Sequence, residues 1–412
     1  MSRTVATLPA GSRITDYLSL GVVTRTFPPE RIRAALTAAG KQSVRQRDLP
    51  AQVVVYYVIS LALYMGTSYR EVLRCLLEGI QWLLKPSAAA IKVAGHAGIS
   101  QARTRLGWEP VRQLHDESSQ AYRVGCDEER MVSRMASGEH RRQHAGCCRR
   151  EEQPRSLRPA RSQPGDERVS EIRFVSLVEN GTHIRFGSRM ADYATSETAL
   201  AKTVLPSLGK GMWCLADRGF FGFEMWKQAA ATGADLVWRI KKDMVLPCEK
   251  RLPDGSYLSR IYPSQPDRKR GSHGVVVRMI EYRLEGVEGA EPSYRLATTI
   301  LDQELTPAVE LAALYHERWE IETAFDELKT HLRGAQIVLR SKTPDLVRQE
   351  FYGLLMAHFA VRSLMHEAAL SADEDPDRLS FLHAVRVVRR KMATCGAIPP
   401  SAPQNLPKSI AD

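Results

Sequence analysis

Apolar positions change period three times along this chain. From Val53 to Met65 the run "VVVYYVISLALYM" is interrupted only by Ser60. It is too short to span ~30 Å of bilayer, so it predicts a helix buried in a soluble core. Gly66 stops that helix, and Ser68-x-x-Glu71 is a capping box that starts the next. Two helices joined by a short turn fit a helix-turn-helix or a plain helical hairpin, and the pattern does not choose between them. Residues 10 to 115 read as helical throughout. From residue 171 the period becomes that of strands. "IRFVSLVENGTHIRFG" holds two strand-like runs about Asn180-Gly181, a dipeptide suited to a tight hairpin turn. Then "SETALAKTVLPSL" reads as a helix, "GMWCLAD" as a strand, "GFEMWKQAAATG" as a helix and "ADLVWRIKK" as a strand. This alternation predicts a mixed α/β sheet. Residues 243–305 read as an all-β insertion without a helix, punctuated by turns such as Pro253-Asp254-Gly255. A helical block over 306–370 follows, and the end, "GAIPPSAPQNLPKSIAD", is a Pro-rich tail not expected to fold.

Between 116 and 170 no period holds. The segment has many arginines and no lysine, and carries Cys126, Cys147 and Cys148, three of the seven cysteines. Its centre, "GEHRRQHAGCCRR", offers His140, His144, Cys147 and Cys148 as zinc ligands. Adjacent cysteines are poorly disposed to bind one ion together, and no second ligand pair stands at finger-like spacing. A basic arm for DNA is diluted by Glu128, Glu129, Glu139, Glu151 and Glu152.

The whole chain has 412 residues, enough for two or three domains. Its formal charge of +11 favours a polyanionic partner, of which nucleic acid is the commonest. The first residues lack the apolar stretch of a signal peptide, and the cysteines show no C-x-x-C spacing, which suits a reducing cytoplasm.

Two motifs carry candidate chemistry. In "YHERWEIETAFDELK", Tyr315, Arg318, Glu322 and Lys329 are spaced 3, 4 and 7 apart. On a regular helix they share one face over ~21 Å. The face is either a solvated one with an Arg318–Glu322 pair, or a carboxylate able to ligate Mg²⁺ among groups that hold phosphate oxygens. In "WCLADRGFFG", Asp217 ends an apolar run where a strand leaves a sheet, a natural place for a metal-ligating carboxylate. It could equally cap the next helix.

Together the motifs carry a resemblance. The pattern Y-x2-R-x3-E-x6-K downstream of a strand-end Asp in "ADRGFFG" resembles the DDE transposases of bacterial insertion sequences, in the group of insertion sequence four. The likeness spans nearly the whole chain. It implies an α/β fold with an RNase H-like catalytic core, interrupted by an all-β insertion and preceded by a helical N-terminal DNA-binding domain. The implied domains are 1–115 for DNA binding, 116–170 as an anomalous, disordered segment, 171–242 as the first part of the core, 243–305 as the insertion, 306–370 as the C-terminal core helices bearing Glu322, and 371–412 as a helix and tail. It also implies Mg²⁺ (or Mn²⁺) as cofactor and two-metal in-line phosphoryl transfer. Asp217 would be the second Asp of the triad and Glu322 its Glu, both metal ligands, with Tyr315, Arg318 and Lys329 on DNA phosphates. The partners implied are double-stranded DNA, both terminal inverted repeats and target, and a second copy of the chain in a homodimeric synaptic complex. A cytoplasmic, nucleoid-associated place follows, with no membrane.

The family's first Asp should close the central strand, a few tens of residues before the hairpin. No apolar-x-Asp-Gly run exists there, and neither Asp127 nor Asp166 stands in a strand pattern. A reading-frame shift over about 118–170 accounts for this. Read one base later, Met131-Val132 and Met135-Ala136 each force a tryptophan codon. Glu139 through Arg149 can then spell Ser-Ile-Asp-Gly-Ser-Thr-Leu-Asp-Val-Ala-Asp, with the first Asp drawn from the codons of Arg141 and Arg142. The expectation is a transposase by descent that has lost its first carboxylate and central strand and does not cut DNA. The alternatives are a non-catalytic DNA-binding inhibitor of transposition and a pseudogene product.

Overall fold

The computed structural model describes residues 20–43, 49–84, 93–124, 131–137, 145–148, 169–284, 291–316, 319–332 and 339–390. Six helices come first: α1 (Leu20–Thr26), α2 (Pro29–Ala38), α3 (Ala51–Leu63), α4 (Tyr69–Leu84), α5 (His96–Leu106) and α6 (Glu109–Val124). As the apolar run predicts, α3 is buried from Val54 to Leu63. The Ser68 hydroxyl accepts from the Glu71 backbone N–H at 3.3 Å, which caps α4.

The strands are β1 (Met131–Ser137), β2 (Ala145–Cys148), β3 (Val169–Glu179), β4 (Arg185–Asp192), β5 (Met212–Ala216), β6 (Asp235–Arg239), β7 (Lys250–Arg251), β8 (Tyr257–Ile261), β9 (Val275–Tyr282) and β10 (Tyr294–Thr298). Between them lie α7 (Glu197–Lys202), α8 (Phe223–Ala230) and α9 (Gln265–Arg270). The chain then continues through α10 (Ala308–His316), α11 (Trp319–Asp326), a π-helical turn (Glu327–Leu332), α12 (Pro344–Ala372) and α13 (Phe381–Arg390). No helix among the described residues is long and apolar enough to cross a membrane.

All ten strands form one mixed sheet in the order β2-β3-β1-β5-β6-β10-β9-β8-β7, with β4 on β3. Val175 pairs with both Ser137 and Arg189, and Ile172 with both Ala145 and Asp192. Thus β4 covers one edge of β3, while β1 and β2 share the other. Strands β1, β5 and β6 run parallel.

Alternation along the strands sorts the two faces. Val175, Leu177, Cys214, Ala216, Leu236 and Trp238 pack beneath α7 and α8, with Trp226 meeting Trp238 edge-on at 5.4 Å. On the opposite face, Leu215, Val237, Ile280 and Leu296 receive Leu311 and Tyr315 of α10, and Val178 receives Ala324 of α11. On this face α10 thus lies over β5 and β6, and α11 reaches β3.

Several expectations need correction. The segment 116–170 is not without structure: α6 continues to Val124, and β1 fills the central position between β3 and β5. Sheet pairing is made by main-chain groups that would otherwise be left open on β3 and β5. Seven residues including Met131, Val132, Met135 and Ala136 suffice for it. His140, His144, Arg141 and Arg142 lie outside the described residues, as does the Pro-rich tail. The 180–184 turn is wider than a two-residue hairpin, because Glu179 N–H bonds Ile184 O at 2.9 Å and His183, not Asn180 or Gly181, takes the positive φ of 55°. The Glu179 carboxylate instead accepts from the backbone N–H groups of Gly181 and Thr182.

The insertion does contain a short helix, α9, capped by Ser264. Its strands also extend the core sheet directly through β10 on β6. In the α3–α4 pair, α3 is buried from Val54 to Leu63 and packs against α4. One apolar cluster runs from Val23 through Leu114 into α12 and on to Val388. At the crossing of α3 and α12 a Cβ on Gly353 would lie 2.8 Å from the Val58 carbonyl oxygen, which explains a glycine inside a long helix.

Candidate active site

Asp217 follows the last residue of β5, where the parallel strands end, and is half-buried. One carboxylate oxygen accepts from the Arg218 N–H at 2.7 Å. Tyr315, at the end of α10, is 3% exposed, and its hydroxyl donates to the Ala216 carbonyl at 3.2 Å. The sequence-predicted Tyr and Asp are thus brought to the same strand end from residues 98 positions apart.

Arg239 closes β6 beside them. It is nearly buried, stacks over Tyr294 at 4.8 Å and pairs with Glu291 at 2.6 Å. Burial pulls the Arg239 pKa down, but the hydrogen bond and charge of Glu291, with smaller contributions from Tyr315 and Asp217, raise it overall. Lys242 and Arg218 also reach Glu291, at 2.9 and 3.5 Å. Hydrogen bonds from Lys242 and Arg239 hold the Glu291 pKa down at about 2. Sequence reasoning passed over this cluster. An arginine closing the apolar run "ADLVWR" was the available signal for Arg239, whereas nothing local marks Glu291.

The other predicted residues are less closely gathered. Arg318 lies outside the described residues. Glu322 lies on α11, two residues before Ala324, which packs on Val178 of β3. Lys329 does not continue a regular α-helical face, because it sits in the π turn, whose wider winding breaks the seven-residue return. Its ammonium stands 5.2 Å from the centre of the Phe325 ring.

On the other flank, the parallel register aligns Arg134 with Leu215. Carried two residues further, it sets Ala136 of β1 level with Asp217. The strand reads Met-Val-Ser-Arg-Met-Ala-Ser and contributes no carboxylate. Among the described residues no group of three or more His, Cys, Asp or Glu side chains is arranged to hold a metal ion.

Behind the helix run, Glu327 is buried at 3% exposure. It lies 3.1 Å from His358 Nε2, 3.3 Å from His183 Nδ1 and 3.0 Å from Arg362 Nε. Burial pushes its pKa up, but the two histidines and the Arg362 charge outweigh that and hold it far below the usual carboxylate range. Burial lowers His358 to about 4.

Two sequence-family models match the chain. Residues 17–116 match the N-terminal region of the insertion element 4 transposase, and residues 161–360 match the transposase DDE domain. Together they take in more than two thirds of the sequence. The gap between them coincides with the stretch that has no period. The chain is 25% identical over 401 residues to the Escherichia coli K12 transposase InsG for insertion sequence element IS4, covering 91% of this chain and 84% of that protein. It is 23% identical over 224 residues to the putative transposase InsZ of the same organism, covering 52% and 68%. Among solved structures, piggyBac transposase in a synaptic complex with hairpin DNA aligns with 97% of this chain and 86% of its own at 11% identity, with a TM-score of 0.42. The mixed sheet with Asp217 at a parallel strand end fits the RNase H-like core of a DDE domain. The chain belongs to the DDE transposases of the insertion element 4 type, a family of DNA-cleaving and DNA-joining enzymes.

Proposed function

We propose that this chain binds the ends of its insertion element as double-stranded DNA and does not cut them. The observation that carries this reading is β1, the central strand beside β5, which reads Met-Val-Ser-Arg-Met-Ala-Ser and holds no carboxylate. Two-metal transfer needs carboxylates that bridge and flank two cations in line with the reacting phosphate. Among the described residues Asp217 and Glu322 are the available pair, and β1 brings no third. That pair alone does not fit two Mg²⁺ ions.

DNA binding rests on other groups. Arg318 and Lys329 hold phosphates, and the N-terminal helices take the terminal repeat. Tyr315 does not hold phosphate, because it is buried with its hydroxyl donating to the Ala216 carbonyl and so braces α10 at the strand end. A net charge of +11 supplies the general attraction. Two copies bring two ends together, and the chain acts in the cytoplasm on the bacterial nucleoid. The central strand is a frame-shifted remnant of one that ended in Asp-Gly-Ser-Thr. That both family matches stop short of residues 117–160 supports this origin.

One gel tests the reading. The full chain is incubated with a duplex carrying the element's terminal repeat, with Mg²⁺ or Mn²⁺, and run both native and denaturing. A retarded complex with intact strands is expected. No retardation would overturn the binding, and nicking at the repeat boundary would overturn the catalytic silence.

A further inference from the structure

Glu327 has no place in the four-residue pattern, yet its buried carboxylate meets three basic side chains. It gathers His183 from the tip of the β3–β4 turn, and His358 and Arg362 from α12. Arg362 also meets His183 Nδ1 directly. A second buried arginine, Arg185 of β4, donates to the Ala324 carbonyl of α11 and lies 4.5 Å over the Phe325 ring. Two of its guanidinium nitrogens find no acceptor, so the helix is gripped here at a cost in desolvation.

Every tie enters the short stretch between Glu322 and Lys329. Five residues at 3.6 per turn set positions 322 and 327 about 140° apart around the axis. Fixing Glu327 inward therefore fixes the rotation of the helix on the other side. Phe325 joins the two: its ring faces Phe174 of β3 at 5.9 Å, Arg185 at 4.5 Å and the Lys329 ammonium at 5.2 Å. A carboxylate serving only the core could sit anywhere along α12. This one stands where the winding changes from α to π.

We infer that Glu327 is a positioning residue for DNA, its bonds to His183, His358 and Arg362 setting the π turn so that Lys329 meets a backbone phosphate. The inference rests on the reading of Lys329 as a phosphate contact. Removing Glu327 alone would strand Arg362 in the interior, so the informative variant is Glu327→Gln/Arg362→Met, which removes both charges and keeps the volume. His183→Ala, which deletes only the tie to the hairpin, is the second.

The affinity of the full chain for terminal-repeat duplex is measured across a salt series, with thermal melting to confirm folding. Lys329→Ala should weaken binding and lower the slope of log affinity on log salt by about 1. The double variant should lose the same unit, and adding Lys329→Ala to it should cost nothing more. His183→Ala should lose part of it. An unchanged slope in the folded double variant, or in His183→Ala, overturns the positioning role. So does a loss that adds fully to that of Lys329→Ala, which is what a purely structural Glu327 would give. An unchanged slope in Lys329→Ala itself overturns the phosphate contact, and the inference with it.

Discussion

Acidification acts on the buried Glu327 cluster through His358, and its size can be worked out. Burial lowers the imidazole from 6.5 to about 4 in the fold. The groups facing it are Glu327, Arg362, Arg185 and the Phe381 ring at 5.1 Å. Because the folded pKa is depressed, the unfolded chain takes up the proton first as the pH falls. The stability is therefore complete above pH 6.5 and drains away between 6.5 and 4. Each pKa unit is worth about 1.4 kcal/mol, so the full loss is roughly 3 kcal/mol for this one group. Glu327 acts in the same direction at lower pH. Its folded pKa is held far below 4.5, so its contribution is present above 4.5 and lost as the pH drops further. The assay is urea unfolding followed by tryptophan fluorescence from pH 8 to pH 4. His358→Gln keeps a donor for Glu327 and abolishes the titration. Its stability should fall less steeply than wild type between pH 6.5 and 4.5, by about one proton's slope. Parallel curves for the two proteins would refute the assignment of a neutral, buried His358.

Other outcomes follow from packing. Gly353→Ala forces a Cβ against the Val58 carbonyl and should destabilise by about 1–3 kcal/mol in chemical unfolding; a neutral result would mean that α3 and α12 can part easily. Trp226→Ala empties the space against Trp238 and Phe221 and should cost about 3–5 kcal/mol, read as a lower urea midpoint. Ser68→Ala removes the cap of α4 at about 1 kcal/mol, with Ser68→Gly closer to wild type.

Much of this fold was legible because its signals are local. The α3 run, the Ser68 cap and the βαβ alternation through Asp217 each follow from periods of 3.6 or 2. The wider turn at 180–184 was not legible, because His183 adopts its left-handed conformation beside a carboxylate 144 residues away. Nor was the π turn, which displaces Lys329 from the face that its spacing suggests. The Asp217–Tyr315 contact was legible only through a family pattern, since their meeting depends on α10 lying over the sheet. The strand at 131–137 is the clearest lesson. Its side-chain pattern is poor, but two neighbouring strands with open main-chain groups recruit it.

The most direct test compares this chain with its frame-restored counterpart. The gene is sequenced across codons 115 to 172, the displaced base is corrected, and both proteins are assayed side by side for Mg²⁺-dependent cleavage of terminal-repeat DNA. The account predicts that the shifted frame spells Asp-Gly-Ser-Thr, that the restored protein cuts, and that the present chain binds the same DNA and leaves it whole. Cleavage by the present chain at a comparable rate, or a nucleotide sequence without that run, would contradict it.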